Sequence, residues 1–150
     1  MTLVSDHTKN ILIAEDDDDD YLIFSIAIEE ISYKVLLTRA TNGEILLKLL
    51  EEQVPDILFL DILMPCMEGR ECLKMIRSNR NYDALPIIMY SSLADLKTVE
   101  FCYREGSNLF AVKPNSIGEL KQILERILAI DWKKTLYFPP RTDFVLRPAD

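Results

Sequence analysis

Short apolar runs alternate with segments of helical periodicity along most of this chain. There are five such apolar runs, at residues 11–14, 35–38, 57–60, 86–90 and 109–112. They contain almost no polar position, which is typical of strands buried on both faces of a parallel sheet. After each run, apolar residues recur three or four positions apart, as on one face of a helix, at residues 21–31, 45–50, 69–78, 94–105 and 117–128. The alternation predicts an α/β fold with a doubly wound, five-stranded parallel sheet.

The helical segments also predict which side of each helix is buried. In the first segment, apolar residues at helical spacing predict an inner face made of Leu22, Ile23, Ile26 and Ile31. The last segment has the clearest apolar stripe, made of Ile117, Leu120, Ile123, Leu124, Ile127 and Leu128.

Residues 131–150 differ from the body of the chain at residues 9–130. They mix aromatic side chains with basic and acidic ones, and Pro139-Pro140 excludes a regular helix there. We therefore expect one domain over residues 9–130 and a C-terminal tail that acts as a docking or dimerisation arm. A tail that covers its own chain and a tail exchanged between two copies both fit this composition.

Composition narrows the class of protein. Lys and Arg number 17 against 25 Asp and Glu, a formal net charge of −8, which argues against a nucleic-acid partner. The three cysteines form no CxxC motif and are expected to be free thiols in a reducing compartment. Residues 1–10 lack the apolar stretch of a signal peptide, and no apolar run approaches the length of a membrane span. We expect a cytoplasmic protein with no membrane partner.

Polar residues that could carry chemistry close four of the predicted strands. Because the carboxyl ends of parallel strands form one edge of a doubly wound sheet, where ligands bind, these side chains are expected to meet: Glu15, Asp16, Asp61, Ser91 and Lys113. The remaining acids of the run at 17–20 are expected to be a solvated helix start, since carboxylates favour helix N-termini.

The chemistry of this set indicates metal-assisted phosphoryl transfer. Three neighbouring carboxylates need a counter-charge, and hard oxygen ligands select Mg²⁺ or Mn²⁺. Asp61 can act as the nucleophile that accepts a phosphoryl group, while Lys113 and the Ser91 hydroxyl each bind a phosphoryl oxygen.

Four stretches together resemble the signature blocks of two-component response-regulator receiver domains: "ILIAEDDDDD", "PDILFLDILMPCMEG", "PIIMYSS" and "FAVKP". The resemblance covers roughly residues 9–130 in the family's order and is specific because four blocks agree in spacing. It implies the flavodoxin-like (β/α)5 receiver fold. The "KPNS" stretch after the fifth strand resembles stand-alone, chemotaxis-regulator-like or phytochrome-response-regulator-like receivers.

The resemblance also implies roles for individual residues. Asp61 is the expected phosphoacceptor, and the expected metal ligands are Glu15, Asp16, Asp61 and the backbone carbonyl of Leu63. Ser91 and Phe110 take the switch positions, and Lys113 takes the position of the family's lysine, before an expected cis Pro114. Because the one histidine, His7, lies outside every block, the phosphoryl donor is expected to be a histidine on a sensor kinase or histidine phosphotransfer protein. Such a protein would catalyse only its own phosphorylation and slow dephosphorylation.

The sequence departs from the common family pattern in three ways. Phe110 stands where Tyr is usual and lacks its hydroxyl. Leu63 and Leu93, each two residues beyond a site residue, are apolar where some members have polar groups, so neither can orient an attacking water. No output domain follows within the 150 residues, so output is expected through contact with an unknown downstream protein.

Three other classes of protein share parts of this pattern. A haloacid-dehalogenase-type phosphatase also uses a nucleophilic Asp, but its acidic pair follows the lysine, and here the pair precedes Asp61. A flavodoxin-like FMN protein needs a phosphate cradle where this chain is acidic. A non-phosphorylated pseudo-receiver acting as a binding module is disfavoured because every site residue is present.

Overall fold

A computed structural model of the chain describes residues 8–133 and 138–148. The strands are β1 (Lys9–Ala14), β2 (Val35–Ala40), β3 (Ile57–Leu60), β4 (Ile87–Ser91), β5 (Leu109–Val112) and β6 (Val145–Leu146). The α-helices are α1 (Asp18–Glu30), α2 (Gly43–Glu52), α3 (Gly69–Arg77), α4 (Leu96–Arg104) and α5 (Ile117–Leu128). Short 3₁₀ turns occur at Arg80–Tyr82 and Arg141–Asp143. None of the helices in the described parts of the chain is both long and apolar enough to cross a membrane.

The strands form one parallel sheet in the order β2-β1-β3-β4-β5-β6. The flavodoxin-like α/β fold is confirmed, but the prediction of five strands is wrong, because the sheet of the described residues has six. The sixth strand comes from the tail, where Val145 and Leu146 pair with Phe110 and Ala111 of β5. Without β6, β5 would present an unpaired edge.

The apolar core lies in two layers, one on each face of the sheet. α1 and α5 cover one face, and α2, α3 and α4 cover the other. The stripe predicted for the last helix is confirmed, with Ile117 partly buried and the other five residues buried.

The inner face predicted for α1 is wrong in part. Ile31, which caps the helix, is buried as predicted and Ile26 is partly buried, but Leu22 and Ile23 are exposed. The buried positions within the helix are Phe24, Ala27 and Ile28. The ring of Phe24 packs edge-on against Phe59 of β3, with 5.0 Å between ring centroids. The fully buried Phe24 ring therefore determines which apolar stripe faces the sheet, because an aromatic ring buries a large apolar surface.

Side-chain caps start the helices soon after the strands end. Asp17 accepts a hydrogen bond from the backbone N–H of Asp20 at the start of α1, and Ser116 accepts one from Glu119 at the start of α5. These helix starts keep the loops after β1 and β5 short. Glu15 and Lys113, which lie in these loops, are consequently close to a regular element on both sides.

Candidate functional site

Adjacent strands bring the sequence-predicted site residues to one edge of the sheet. Glu15 follows β1, Asp61 follows β3, Ser91 ends β4 and Lys113 follows β5, and these four strands are neighbours. Backbone hydrogen bonds fix the positions of the acids: the Glu15 N–H donates to Ala40, and the Asp61 N–H donates to Ala14.

Three carboxylates lie close enough to share one metal ion. Glu15, Asp16 and Asp61 each offer an oxygen, and these oxygens all lie within 4.8 Å of one another. Glu15 and Asp61 are buried, whereas Asp16 is exposed. Oδ1 of Asp61 accepts a hydrogen bond of 2.7 Å from the backbone N–H of Ile62, which orients the carboxylate.

Lys113 places its ammonium among three carboxylates. Its Nζ lies 2.8 Å from Oδ2 of Asp61, 2.8 Å from Oδ2 of Asp20 and 2.7 Å from Oε1 of Glu15. Burial disfavours the charged form, but the Asp61 charge and the hydrogen bonds that the ammonium donates to the surrounding acids outweigh it and raise the pKa of Lys113 above its usual value. Lys113 therefore stays charged at every physiological pH.

The carboxylates fit a hard divalent cation. Oε1 of Glu15 is fully buried and has no hydrogen-bond partner, since its approach to Lys113 is an ion pair without hydrogen-bonding geometry. Burial raises the pKa of Glu15 to about 7; the Lys113 ammonium opposes this rise and the Asp61 carboxylate adds to it. A buried carboxylate oxygen that accepts no hydrogen bond, in an acid whose charged form burial disfavours, is one that a cation would satisfy.

The loop after β3 needs a glycine to come close to the phosphoacceptor position. A Cβ atom on Gly69 would lie 2.0 Å from the backbone oxygen of Asp61, so no other residue fits without moving the chain. The Gly69 N–H donates to the Ile62 carbonyl at 2.8 Å. Leu63 lies in this loop with its side chain exposed, and the role of its carbonyl as a ligand stays a prediction.

The two switch positions are both buried. Oγ of Ser91 accepts a hydrogen bond of 3.2 Å from the backbone N–H of Leu93. Phe110 is fully buried, and its ring contacts that of Phe144 in the tail, with 6.4 Å between centroids. The switch roles of these two residues stay predictions.

Asp20 is a site residue that the sequence did not reveal. The run at 17–20 was expected to be a solvated helix start, and Asp17, Asp18 and Asp19 are indeed exposed. Asp20, however, accepts a hydrogen bond from Lys113 at 2.8 Å, so the expectation is wrong for this residue. The sequence does contain one signal for Asp20, its position four residues after Asp16. In a helix that starts beside the site, a residue one turn later faces the same side, and so faces the site again.

The expected cis bond before Pro114 is also wrong. The structure has no cis peptide bond among its described residues, so the Lys113–Pro114 bond is trans. The two isomers of an X–Pro bond differ by only about 0.5–1 kcal/mol, so the residue pair alone does not determine the isomer.

Comparison with known proteins identifies the family. The sequence model of the family described as "Response regulator receiver domain" matches residues 11–125 of this chain. The chain is 34% identical over 111 residues to the CAI-1 autoinducer sensor kinase/phosphatase CqsS of Vibrio cholerae, covering 73% of this chain and 16% of CqsS. The solved structure of response regulator RPA3017 in red light signalling of R. palustris has a TM-score of 0.75 and 27% identity, covering 88% of this chain and 99% of that one. The Mn²⁺-bound form of response regulator Rcp1 has a TM-score of 0.73 and 22% identity, covering 88% and 99%.

The fold and the site together define a class of protein. It is a flavodoxin-like α/β domain with a carboxylate cluster and a lysine at the carboxyl edge of its sheet. The chain belongs to the response regulator receiver domain family, which confirms the resemblance found in the sequence. Neither a dehalogenase-type phosphatase nor a pseudo-receiver is favoured by these matches, which are to phosphorelay regulators. The likeness to Rcp1 shows the fold alone, and the chain spans 16% of the length of CqsS.

Proposed function

We propose that this chain stores a signal as a phosphoryl group on Asp61, received from a histidine of a partner sensor kinase or histidine phosphotransfer protein. The observation that carries the proposal is the buried Asp61 carboxylate, which lies 2.8 Å from the Lys113 ammonium and within 4.8 Å of two further carboxylates. In the transfer, the N–P bond of the phosphohistidine breaks as a carboxylate oxygen of Asp61 bonds to phosphorus.

Each site residue has a role in this reaction. Glu15, Asp16, Asp61 and the Leu63 carbonyl would hold Mg²⁺, or Mn²⁺ as in Rcp1, and the ion when bound neutralises charge on the phosphoryl oxygens. Lys113 binds one phosphoryl oxygen and the Ser91 hydroxyl another, and Phe110 responds to that change at the switch position. The chain would catalyse only its own phosphorylation and slow dephosphorylation.

The partners and the location follow from the same proposal. CqsS, a relative, is a sensor kinase/phosphatase, which supports a kinase as the phosphoryl donor. Output would pass through contact with a downstream protein rather than with nucleic acid, given the net charge of −8. A cytoplasmic location is supported by the free state of Cys66, Cys72 and Cys102.

Asp61→Asn should abolish phosphorylation. After incubation with acetyl phosphate and Mg²⁺, the intact mass of the wild-type chain should rise by roughly 80 Da, the mass of one phosphoryl group, and that of Asp61→Asn should not. Asp56→Asn is the matched control, since Asp56 precedes the same strand at the opposite edge of the sheet and should leave the adduct in place. An adduct on Asp61→Asn equal to that of the wild type would overturn the assignment.

The phosphoryl group on Asp61 should be long-lived. Leu63 is 59% exposed and Leu93 is partly buried, and neither side chain can orient water for attack on the acyl phosphate. Polar replacements, Leu63→Asn or Leu93→Gln, should shorten the lifetime by roughly tenfold or more. Loss of the mass adduct after removal of acetyl phosphate measures this.

The control for the lifetime is Leu36→Asn. Leu36 lies on β2 and is 60% exposed, so it matches Leu63 in residue type and in exposure. It should leave the lifetime unchanged. A wild-type lifetime of seconds that neither Leu63→Asn nor Leu93→Gln alters would contradict the role of these two leucines.

A further inference from the structure

The ammonium of Lys113 is surrounded by carboxylates in this structure. It donates hydrogen bonds to Asp20 and Asp61 and forms an ion pair with Glu15 at 2.7 Å. A phosphoryl oxygen that binds to Lys113 therefore competes with these three carboxylates. Which of the three is displaced determines how the site changes on phosphorylation.

Asp20 is the carboxylate that can leave most easily. Its side chain is 40% exposed, whereas those of Glu15 and Asp61 are 0% and 6% exposed. A carboxylate near the surface regains water when it loses an ion pair, while a buried one is left uncompensated. Asp20 also lies on the first turn of α1, so its release needs no movement of the sheet.

Asp20 also adds negative charge to the site without belonging to the metal-binding group. The carboxylates within reach of a shared ion are Glu15, Asp16 and Asp61. Asp20 instead contacts Lys113 at 2.8 Å, and its charge beside the site attracts a cation. The same charge repels an incoming phosphoryl group.

We propose that Asp20 is a positioning residue that holds Lys113 in the resting state and competes with the phosphoryl group for it. This proposal rests on the proposed function. It assigns Asp20 two opposite effects, because Asp20 favours the binding of the divalent cation and disfavours the binding of the phosphoryl group. A residue with a merely structural role would shift both in the same direction.

The test measures two ligands on the same variants. With Asp20→Asn, the affinity for Mg²⁺ alone, measured by titration calorimetry, should fall by roughly three- to tenfold, since a negative charge beside the site is lost. At saturating Mg²⁺, the affinity for beryllium fluoride, an analogue of the phosphoryl group, should rise by roughly tenfold, since a competitor for Lys113 is gone.

Asp19→Asn is the matched control, because it removes the same charge from an exposed position in the same helical turn that does not contact Lys113. Asp20→Glu keeps the charge and should restore much of the wild-type behaviour. Equal affinities for Asp20→Asn and Asp19→Asn, or a fall in both affinities for Asp20→Asn, would overturn the role of Asp20. If the wild-type chain binds neither Mg²⁺ nor beryllium fluoride, the proposed function fails instead.

Discussion

Phe144→Ala should lower the free energy of unfolding by about 3–5 kcal/mol, the usual cost of removing a buried phenylalanine ring. Phe144 lies in the tail but is fully buried, and its ring contacts those of Tyr103 on α4 and Phe110 on β5. Its carbonyl also accepts the backbone hydrogen bond of Phe110 at 3.0 Å, so loss of the ring weakens the attachment of β6 to β5. Urea denaturation measures the change.

Phe138→Ala is the control for Phe144→Ala, since Phe138 lies in the same tail with 51% of its surface exposed. It should cost no more than roughly 1 kcal/mol. If both variants lose the same small amount, Phe144 does not pack as the structure shows.

The contacts of the tail bear on its two interpretations, self-docking and exchange between two copies. In the structure, the described part of the tail lies on its own chain, where Arg141 pairs with Glu100 of α4 and Arg126 of α5 donates to the Arg147 carbonyl. Exchange of the tail between two copies stays a prediction. It would make the unfolding midpoint depend on protein concentration and would give a dimer that becomes a monomer when the chain is truncated after residue 130.

The sequence predicted the sheet and the site well, for one physical reason. Buried parallel strands are almost wholly apolar, so the polar residue that ends each strand stands out, as Asp61 does after Ile57–Leu60. Strand order then brings those residues together without any knowledge of the helices. Glu15, Asp61, Ser91 and Lys113 could all be found in this way.

The parts that the sequence did not predict depend on tertiary packing. The inner face of α1 is determined by where Phe24 meets Phe59, and periodicity alone offered a second apolar stripe through Leu22 and Ile23. β6 has only two residues, which is too short for a strand signal, and its pairing depends on the adjacent Phe144 ring, whose partners Tyr103 and Phe110 are distant in sequence. Asp20 resembled its solvated neighbours because nothing in a run of acids shows which one meets a lysine 93 positions away.

In the absence of divalent cations, the protein should become less stable as the pH rises from about 5 to 8. The pKa of Glu15 is about 7 in the folded protein against 4.5 as its ordinary value. Between these two values the folded state binds more protons than the unfolded state, so stability falls as the pH rises through this window and levels off above it. A shift of this size corresponds to a loss on the order of 3 kcal/mol.

The other shifted acids act outside this window. The pKa of Glu68 is lowered by its hydrogen bond from Arg70, and that of Asp95 by its hydrogen bonds from Thr98. The stability that these two acids contribute is present above their ordinary pKa values and is lost only as the pH falls further. Unfolding measured between pH 5 and 8 therefore reports mainly on Glu15.

Mg²⁺ should reverse the trend, because the ion binds the ionised carboxylates of the folded state and must displace the Glu15 proton at low pH. We expect Mg²⁺ to raise the free energy of unfolding more at pH 8 than at pH 5, measured by urea denaturation with Mg²⁺ or with a chelator. Glu15→Gln is the matched variant: it keeps the size of the side chain, removes the titrating group, and should make the metal-free protein equally stable at both pH values. A wild-type protein as insensitive to pH as Glu15→Gln would show that Glu15 is already ionised in the folded state, and that its burial beside Asp61 is fully compensated by Lys113.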